Sequence, residues 1–165
     1  VENFAVVHFR RGDYVSQMMT RSNSRKMTTC HKLLNELVKM VHLPNLNIVI
    51  LSDHYDTSLI PADKKQYIDV MFDYDKYSVG DKFMVGDTKI NVIDKVIGIS
   101  DETNYKSLLY FTHCDYHIGN MSCFPQMMFR IFDNKKVKSV VVDHDISNMS
   151  DVIRLHETKD KWLKK

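Results

Sequence analysis

Two adjacent arginines, Arg10 and Arg11, are the residues of this sequence best suited to binding a charged group. An arginine presents a planar fork of donors that matches phosphate oxygens and stays charged at any physiological pH. The pair follows the apolar run Phe4–Phe9, and neighbouring side chains of an extended backbone point in opposite directions. We therefore expect one arginine to bind phosphate and the other to flank the site or to pair with the carboxylate of Asp13. A solvated turn after a strand is the alternative interpretation of the pair.

A second candidate phosphate site lies where Ser122 precedes a predicted helix that has Pro125 near its start. The N-terminus of a helix presents free N–H groups and the positive end of its dipole, and the Ser122 hydroxyl adds a donor. Proline in the first turn places the helix start close to Ser122. An ordinary strand-to-helix connection is the alternative. Asp53, at the end of another predicted strand, is a third candidate, although Ser52 and Asp53 would equally cap a following helix.

These candidates follow segments in which strand and helix patterns alternate. Short apolar runs rich in β-branched residues predict strands, and apolar residues spaced three and four apart predict helices. Between residues 73 and 98 the pattern indicates only short strands and loops. Predicted strands cover residues 4–9, 47–51, about 67–71, 115–119 and 137–142; predicted helices span about 30–41, open at 101–104, start after 122–123 and occupy the tail to 165.

This alternation predicts an α/β fold, a Rossmann-like and mostly parallel sheet with helices on both faces. Ligands of such sheets bind beyond the carboxyl ends of the strands, where the three candidate segments would converge. We also expect Met127 and Met128 to fill the core. Helical spacing places Tyr105, Leu108, Leu109 and Thr112 on one helix face, and Phe124, Met127, Met128, Ile131 and Phe132 on another.

The composition is that of one ordinary globular domain. Its 165 residues suffice for a sizeable core, and a formal net charge of +2 predicts no field that would attract nucleic acid. No apolar run reaches the roughly 20 residues of a membrane span, and the N-terminus does not have the pattern of a secretion signal. Three cysteines without metal-site or disulfide spacing favour a reducing compartment, which slightly favours a cytoplasmic location but does not fix the compartment. Histidine spacing likewise predicts no metal site.

The segment His8-Phe9-Arg10-Arg11-Gly12-Asp13 resembles the His-x-Arg-Arg-x-Asp motif of the fucosyltransferase superfamily, which includes α-1,2-, α-1,6- and protein O-fucosyltransferases. Two further segments resemble motifs of this family in the same order. Residues 48–53 form a predicted strand ending in Ser-Asp, and residues 114–124 run from Cys-Asp to Ser-Cys-Phe. The resemblance spans about residues 4–135, most of the chain.

The resemblance implies a GDP-fucose site in the C-terminal lobe of a two-lobed GT-B enzyme that transfers fucose with inversion and without a metal. His8 would contact the guanine or ribose, and Arg10 would bind the diphosphate and stabilise the departing GDP. Arg11 and Asp13 would shape the motif. The third motif would contribute Ser122, Cys123 and Phe124 to the donor site, with Asn120 as a further candidate.

The third motif departs from the family pattern at Cys123 and Pro125, where serines are common. A family aspartate that recognises guanine stands eight residues before the Asp115 position, and Ser107 takes its place here. Another nucleotide sugar is therefore an alternative to GDP-fucose. We count Ser107 and Asp53 among the possible donor-site residues.

Two full Rossmann-like lobes need more than 165 residues. We therefore expect residues 1–165 to form one nucleotide-sugar-binding domain, completed by a missing acceptor lobe or by a partner chain. The partners expected are a nucleotide-sugar donor and a glycan or protein acceptor. Two other functions are open: a nucleotide-binding domain without turnover, and a nucleic-acid-binding domain that uses Arg10, Arg11 and Lys135-Lys136. The near-neutral charge disfavours the second of these.

Overall fold

The computed structural model describes residues 3–9, 29–53, 62, 72–98, 100–120 and 123–142. The strands are β1 (Phe4–Phe9), β2 (Asn45–Ser52), β3 (Lys82–Val85), β4 (Thr88–Ile97), β5 (Tyr116–Asn120) and β6 (Lys138–Val142), and the helices are α1 (Cys30–Val41), α2 (Asp101–His113) and α3 (Cys123–Ile131), with a 3-10 turn at Asp73–Lys76.

The six strands form one sheet in the order β3-β4-β2-β1-β5-β6. Neighbouring strands are parallel, except that β3 and β4 form an antiparallel hairpin at one edge. The predicted α/β class with a mostly parallel sheet is thus confirmed. The strand predicted at residues 67–71 and the helix predicted in the tail beyond residue 142 lie outside the described residues.

The centre of the sheet consists of the two strands that the sequence predicts best. β1 has the predicted bounds, and β2 extends the predicted 47–51 strand to Asn45–Ser52. In β1 every side chain is buried except that of His8, which is half-buried. A parallel strand that is covered on both faces has a nearly continuous apolar sequence, as β1 does.

Helices cover both faces of the sheet. On one face α1 packs through residues such as Leu34 into a cluster that includes Val7. On the other face Phe111 of α2 and Phe129 of α3 join a cluster that includes Val6. Val6 and Val7 enter different clusters because successive side chains of a strand point to opposite faces.

The N-terminus of α1 is held by two side chains. The Thr29 hydroxyl caps the helix by accepting from the backbone N–H of Lys32 at 3.1 Å. The two carboxylate oxygens of Asp73 accept from the backbone N–H groups of Cys30, at 2.8 Å, and His31, at 2.9 Å. A buried carboxylate thereby satisfies donors that helix geometry leaves unpaired and complements the helix dipole.

The ten-residue strand β4 contradicts the expectation of short strands and loops between residues 73 and 98. Asp94 and Lys95 make its sequence unlike that of an interior strand. In the structure the Tyr110 hydroxyl donates to Asp94, and Lys95 Nζ donates to the carbonyl of Tyr77 at 2.9 Å. These partners are distant in sequence, so the local pattern does not reveal that the polar residues are satisfied.

The buried faces of α2 and α3 also differ from the expectation. Met128 and Phe129 are buried, whereas Met127 is 50% exposed, so only one of the two methionines fills the core. On α2 the fully buried residue is Phe111, while Tyr105 is 65% exposed. Both helices carry apolar residues around much of their circumference, so spacing alone does not decide which face meets the sheet. The other large apolar side chains exposed on these helices and just after α3 are Leu109, Phe124, Ile131 and Phe132.

None of the described helices combines the length and apolar character needed to cross a bilayer.

Candidate functional site

The strand order places a topological switch point between β1 and β5. From β1 the chain continues to β2 and β4 on one side of the sheet, and it then returns to β5 and β6 on the other side. Connections that leave a strand pair toward opposite faces open a crevice at the carboxyl ends of that pair, where ligands of open α/β sheets bind. The candidate site is the carboxyl edge of β1 and β5.

Three predicted segments meet at this edge. His8 of β1 is in register with Gly119 of β5, and Phe9 is in register with Ser52 of β2. Ser52 Oγ donates to the Phe9 carbonyl at 3.0 Å, which fixes the ends of β1 and β2 to each other. The structure therefore brings together the carboxyl ends of β1, β2 and β5, to which the three candidate segments belong.

The contact between β1 and β5 at this edge is unusually close. A Cβ on residue 119 would stand 2.8 Å from the carbonyl oxygen of His8 and 3.1 Å from Nε2 of His117. Real Cβ atoms do not approach a backbone oxygen to 2.8 Å, so the position requires glycine for space. The glycine in the third motif is therefore needed for the strands to pair as they do.

Among the described residues at this edge, His117 is the most deeply buried ionisable group. It is 1% exposed, and its Nδ1 lies 2.7 Å from Ser139 Oγ of β6. Burial, with a smaller contribution from nearby His8, lowers the pKa of His117 to about 3. The ring is consequently neutral at physiological pH, and its Nε2 has no hydrogen-bond partner among the residues that the structure describes.

Aromatic rings surround the two histidines. The His8 ring lies with its centroid 5.6 Å from that of Phe111 and 6.5 Å from that of His117. Phe111 also contacts Phe124, the last residue of the third motif, edge to face at 5.7 Å. His8, His117 and Phe124 thus share one aromatic neighbour, which couples the first and third motifs through packing.

The beginning of the third motif lies at the opposite, amino edge of the sheet. Burial raises the pKa of the Cys114 thiol to about 12, so it is not a thiolate nucleophile. Asp115 accepts from the backbone N–H of Phe4 at 3.1 Å and pairs with Lys136 at 3.3 Å. The Cys-Asp pair therefore ties β1 to β5 and takes no part in the carboxyl edge.

Several predicted site residues are placed by their backbone or lie outside the described part of the chain. Asp53 directly follows β2 and is half-buried, and Ser107 lies in the middle of α2. Asn120 ends β5 and Cys123 begins α3, while their side chains lie outside the description. The predicted residues that lie entirely outside the described ranges are Arg10, Arg11, Asp13 and Ser122.

Sequence reasoning missed His117, Gly119 and Ser139 as residues of this edge. On sequence grounds His117 is one of four histidines that lack the spacing expected of a zinc site, and it lies within the third candidate segment without an assigned role. The available signal is local: a histidine two residues before a glycine in a predicted strand puts both on one face of that strand. Ser139 gives no local signal, because its link to His117 arises from the pairing of β5 with β6.

Within the described ranges, no group of three or more His, Cys, Asp or Glu residues is arranged to hold a metal ion. In comparisons with known proteins, the chain matches no family model, no curated protein and no solved structure.

Proposed function

We propose that this chain is the nucleotide-sugar-binding domain of a fucosyltransferase-type glycosyltransferase. The domain binds GDP-fucose, and fucose passes to a glycan or protein acceptor with inversion and without a metal ion. A second lobe or a partner chain binds the acceptor. The proposal joins the resemblance of the His8–Asp13 segment to the family motif with the position of His8 in the sheet.

One observation carries the proposal. His8, the first residue of the motif, lies at the carboxyl end of the central strand β1, beside the β1–β5 switch point. A crevice at this position is where open α/β sheets bind nucleotides. A chance match to the motif would not be expected to begin at the strand end where ligands of such sheets bind.

The chemistry assigned to the site follows from charge. The acceptor hydroxyl oxygen bonds to the anomeric carbon of fucose while the bond from that carbon to the β-phosphate oxygen breaks. The electron pair leaves with GDP, and the acceptor proton passes to a base or to water on the acceptor side. Arg10, the motif's candidate phosphate ligand, neutralises the charge that develops on the leaving diphosphate.

Two measurements on the full chain test the proposal. Titration calorimetry with GDP, UDP, ADP and dTDP identifies the base, and a thermal-shift screen of the corresponding nucleotide sugars examines the donor. We expect GDP and GDP-fucose to bind in preference to the others. Preference for another nucleotide would show that the donor is a different nucleotide sugar. Ser107, which stands in place of the family aspartate that recognises guanine, allows for this outcome. Failure to bind any of these nucleotides would refute the proposal.

Turnover separates an enzyme from a binding domain. Release of GDP from GDP-fucose, in the presence of candidate acceptors and of water alone, is the measurement. We expect release that depends on Arg10. Tight binding of GDP-fucose with no release under any condition would instead identify a nucleotide-sugar-binding domain without turnover.

A further inference from the structure

His117 lies on the face of β5 that packs beneath α2 and α3, inside the cluster of aromatic rings. Its ring centroid is 5.3 Å from that of Phe129 and 6.0 Å from that of Phe111. The side chain is 1% exposed, yet Nε2 has no hydrogen-bond partner among the described residues. Native proteins rarely leave a buried polar atom unpaired, and a bound water or ligand is the usual explanation.

The unpartnered atom lies toward the carboxyl edge of the sheet. Nε2 is 3.1 Å from the point that a Cβ of Gly119 would occupy, two residues further along β5. Gly119 is also the register partner of His8, at the end of β1. Nε2 therefore lies over the backbone at the β1–β5 switch point.

A hydrogen-bonded chain fixes the opposite side of the ring. Gln126 Nε2 of α3 donates to Ser139 Oγ at 2.9 Å, and Ser139 Oγ lies 2.7 Å from Nδ1 of His117. The Ser139 oxygen accepts from Gln126, and its hydroxyl hydrogen is available to donate to Nδ1. In the tautomer that accepts this hydrogen at Nδ1, the neutral ring carries its proton on Nε2, which makes the unpartnered atom a donor.

We propose that His117 is a specificity-determining residue of the nucleotide-sugar site, whose Nε2–H donates to an uncharged oxygen of the nucleoside. The inference rests on the proposed function for the identity of the ligand. An uncharged acceptor, a base carbonyl or a ribose hydroxyl, suits this donor because the ring stays neutral. A phosphate would require a charged ring for a strong interaction, and burial together with neighbouring His8 opposes that charge.

Two substitutions separate the two nitrogens of the ring. His117→Asn keeps an amide near the Nδ1 position, beside Ser139, and removes the group at Nε2. His117→Gln reaches the Nε2 position and keeps a donor there. We expect His117→Asn to weaken GDP binding about threefold to tenfold, as for loss of one neutral hydrogen bond, and His117→Gln to weaken it less. Neither change should alter the affinity for pyrophosphate, which has no nucleoside.

Nitrogen-15 NMR of the wild-type imidazole is a measurement that needs no substitution at the buried position 117, so it does not require a variant to fold. We expect a neutral ring protonated at Nε2 in the free protein, and a Nε2 resonance that GDP shifts and pyrophosphate does not. Ser139→Ala, at an exposed position, should increase the population of the other tautomer. The inference is overturned if GDP binds but leaves both the Nε2 resonance and the His117→Asn affinity unchanged.

The outcomes also distinguish the inference from the function on which it rests. If the wild-type chain binds GDP and His117→Asn weakens GDP and pyrophosphate equally, His117 does not read the nucleoside while the proposed function stands. If the wild-type chain binds no nucleotide, the proposed function fails and the inference fails with it. A Nε2 that proves unprotonated in the free protein would overturn the inference alone.

Discussion

The carbonyl oxygen of His8 and the α-carbon of Gly119 face each other across the β1–β5 pair so closely that a Cβ on residue 119 would stand 2.8 Å from that oxygen. The two residues belong to two different motifs of the sequence, and the register of two parallel strands joins them. The contact places the start of the first motif and the Gly119 part of the third motif at one edge of the sheet. It also makes Gly119 a sensitive position at which to test that edge.

Gly119→Ala should lower the free energy of unfolding by about 1–3 kcal/mol, because a methyl group would push apart two paired strands. Urea denaturation measures the change. Gly80→Ala is a useful comparison, since a methyl group added at Gly80 would meet no atom within 4 Å, although the backbone there has a φ of +94°. That variant bears only backbone strain, of about 1 kcal/mol. A Gly119→Ala protein as stable as the wild type would contradict the strand register.

The buried imidazole of His117 should make stability fall with pH below 6.5. Its pKa is about 3 in the folded protein and near 6.5 in an unfolded chain. Between these values the unfolded chain binds a proton that the folded chain does not, so stability decreases as pH falls. From pH 7 to pH 5 the contribution of His117 is a loss of about 2 kcal/mol.

The measurement compares urea denaturation of wild type and His117→Asn at pH 7 and pH 5. The variant is expected to start less stable at pH 7 and to lose less stability on acidification, by the amount that His117 contributes. Titrating groups that do not interact with His117 act on both proteins equally, so the difference between the two pH dependences reports His117 together with its coupling to His8. Identical pH dependences would show that the ring is already protonated or accessible in the folded protein.

Removing the Asp73 carboxylate should destabilise α1. Asp73→Ala leaves the backbone N–H groups of Cys30 and His31 without their acceptor and removes a negative charge from the helix N-terminus. We expect a loss of about 1.5–3 kcal/mol in the free energy of unfolding. Asp75→Ala, at an exposed position in the same 3-10 turn, is the matched control and should change stability by less than about 0.5 kcal/mol.

Arg10→Ala should weaken GDP binding about tenfold to a hundredfold while the circular-dichroism spectrum stays unchanged. Loss of a charge-assisted hydrogen bond to phosphate corresponds to about 1.5–3 kcal/mol. Arg130→Ala removes an equal charge from an exposed position in the last turn of α3 and should leave the affinity unchanged. If the two variants bind GDP with equal affinity, Arg10 is not a ligand of the diphosphate.

The sequence alone predicts the elements whose pattern is local and strong. β1 is predicted with its observed bounds, α1 is predicted from its apolar spacing, and the α/β class follows from the alternation of elements. The prediction fails at β4, because charged residues such as Asp94 and Lys95 are typical of loops. Only the structure shows that Tyr110 and Tyr77 provide their hydrogen-bond partners. The prediction also fails at Met127, because an apolar residue does not specify which face of a helix meets the sheet.

For the candidate site, the sequence determined the residue types: the motif from His8 to Asp13, and a glycine two residues after a histidine in a short strand. Tertiary structure decided which strand ends meet, and it placed His8, His117 and Gly119 at one switch point. The reason is physical. Side-chain periodicity is a local property, while strand order and burial depend on contacts between residues far apart in sequence, from 22 positions for His117 and Ser139 to 111 for His8 and Gly119. A neutral, buried imidazole at this switch point is therefore a property of the folded chain alone.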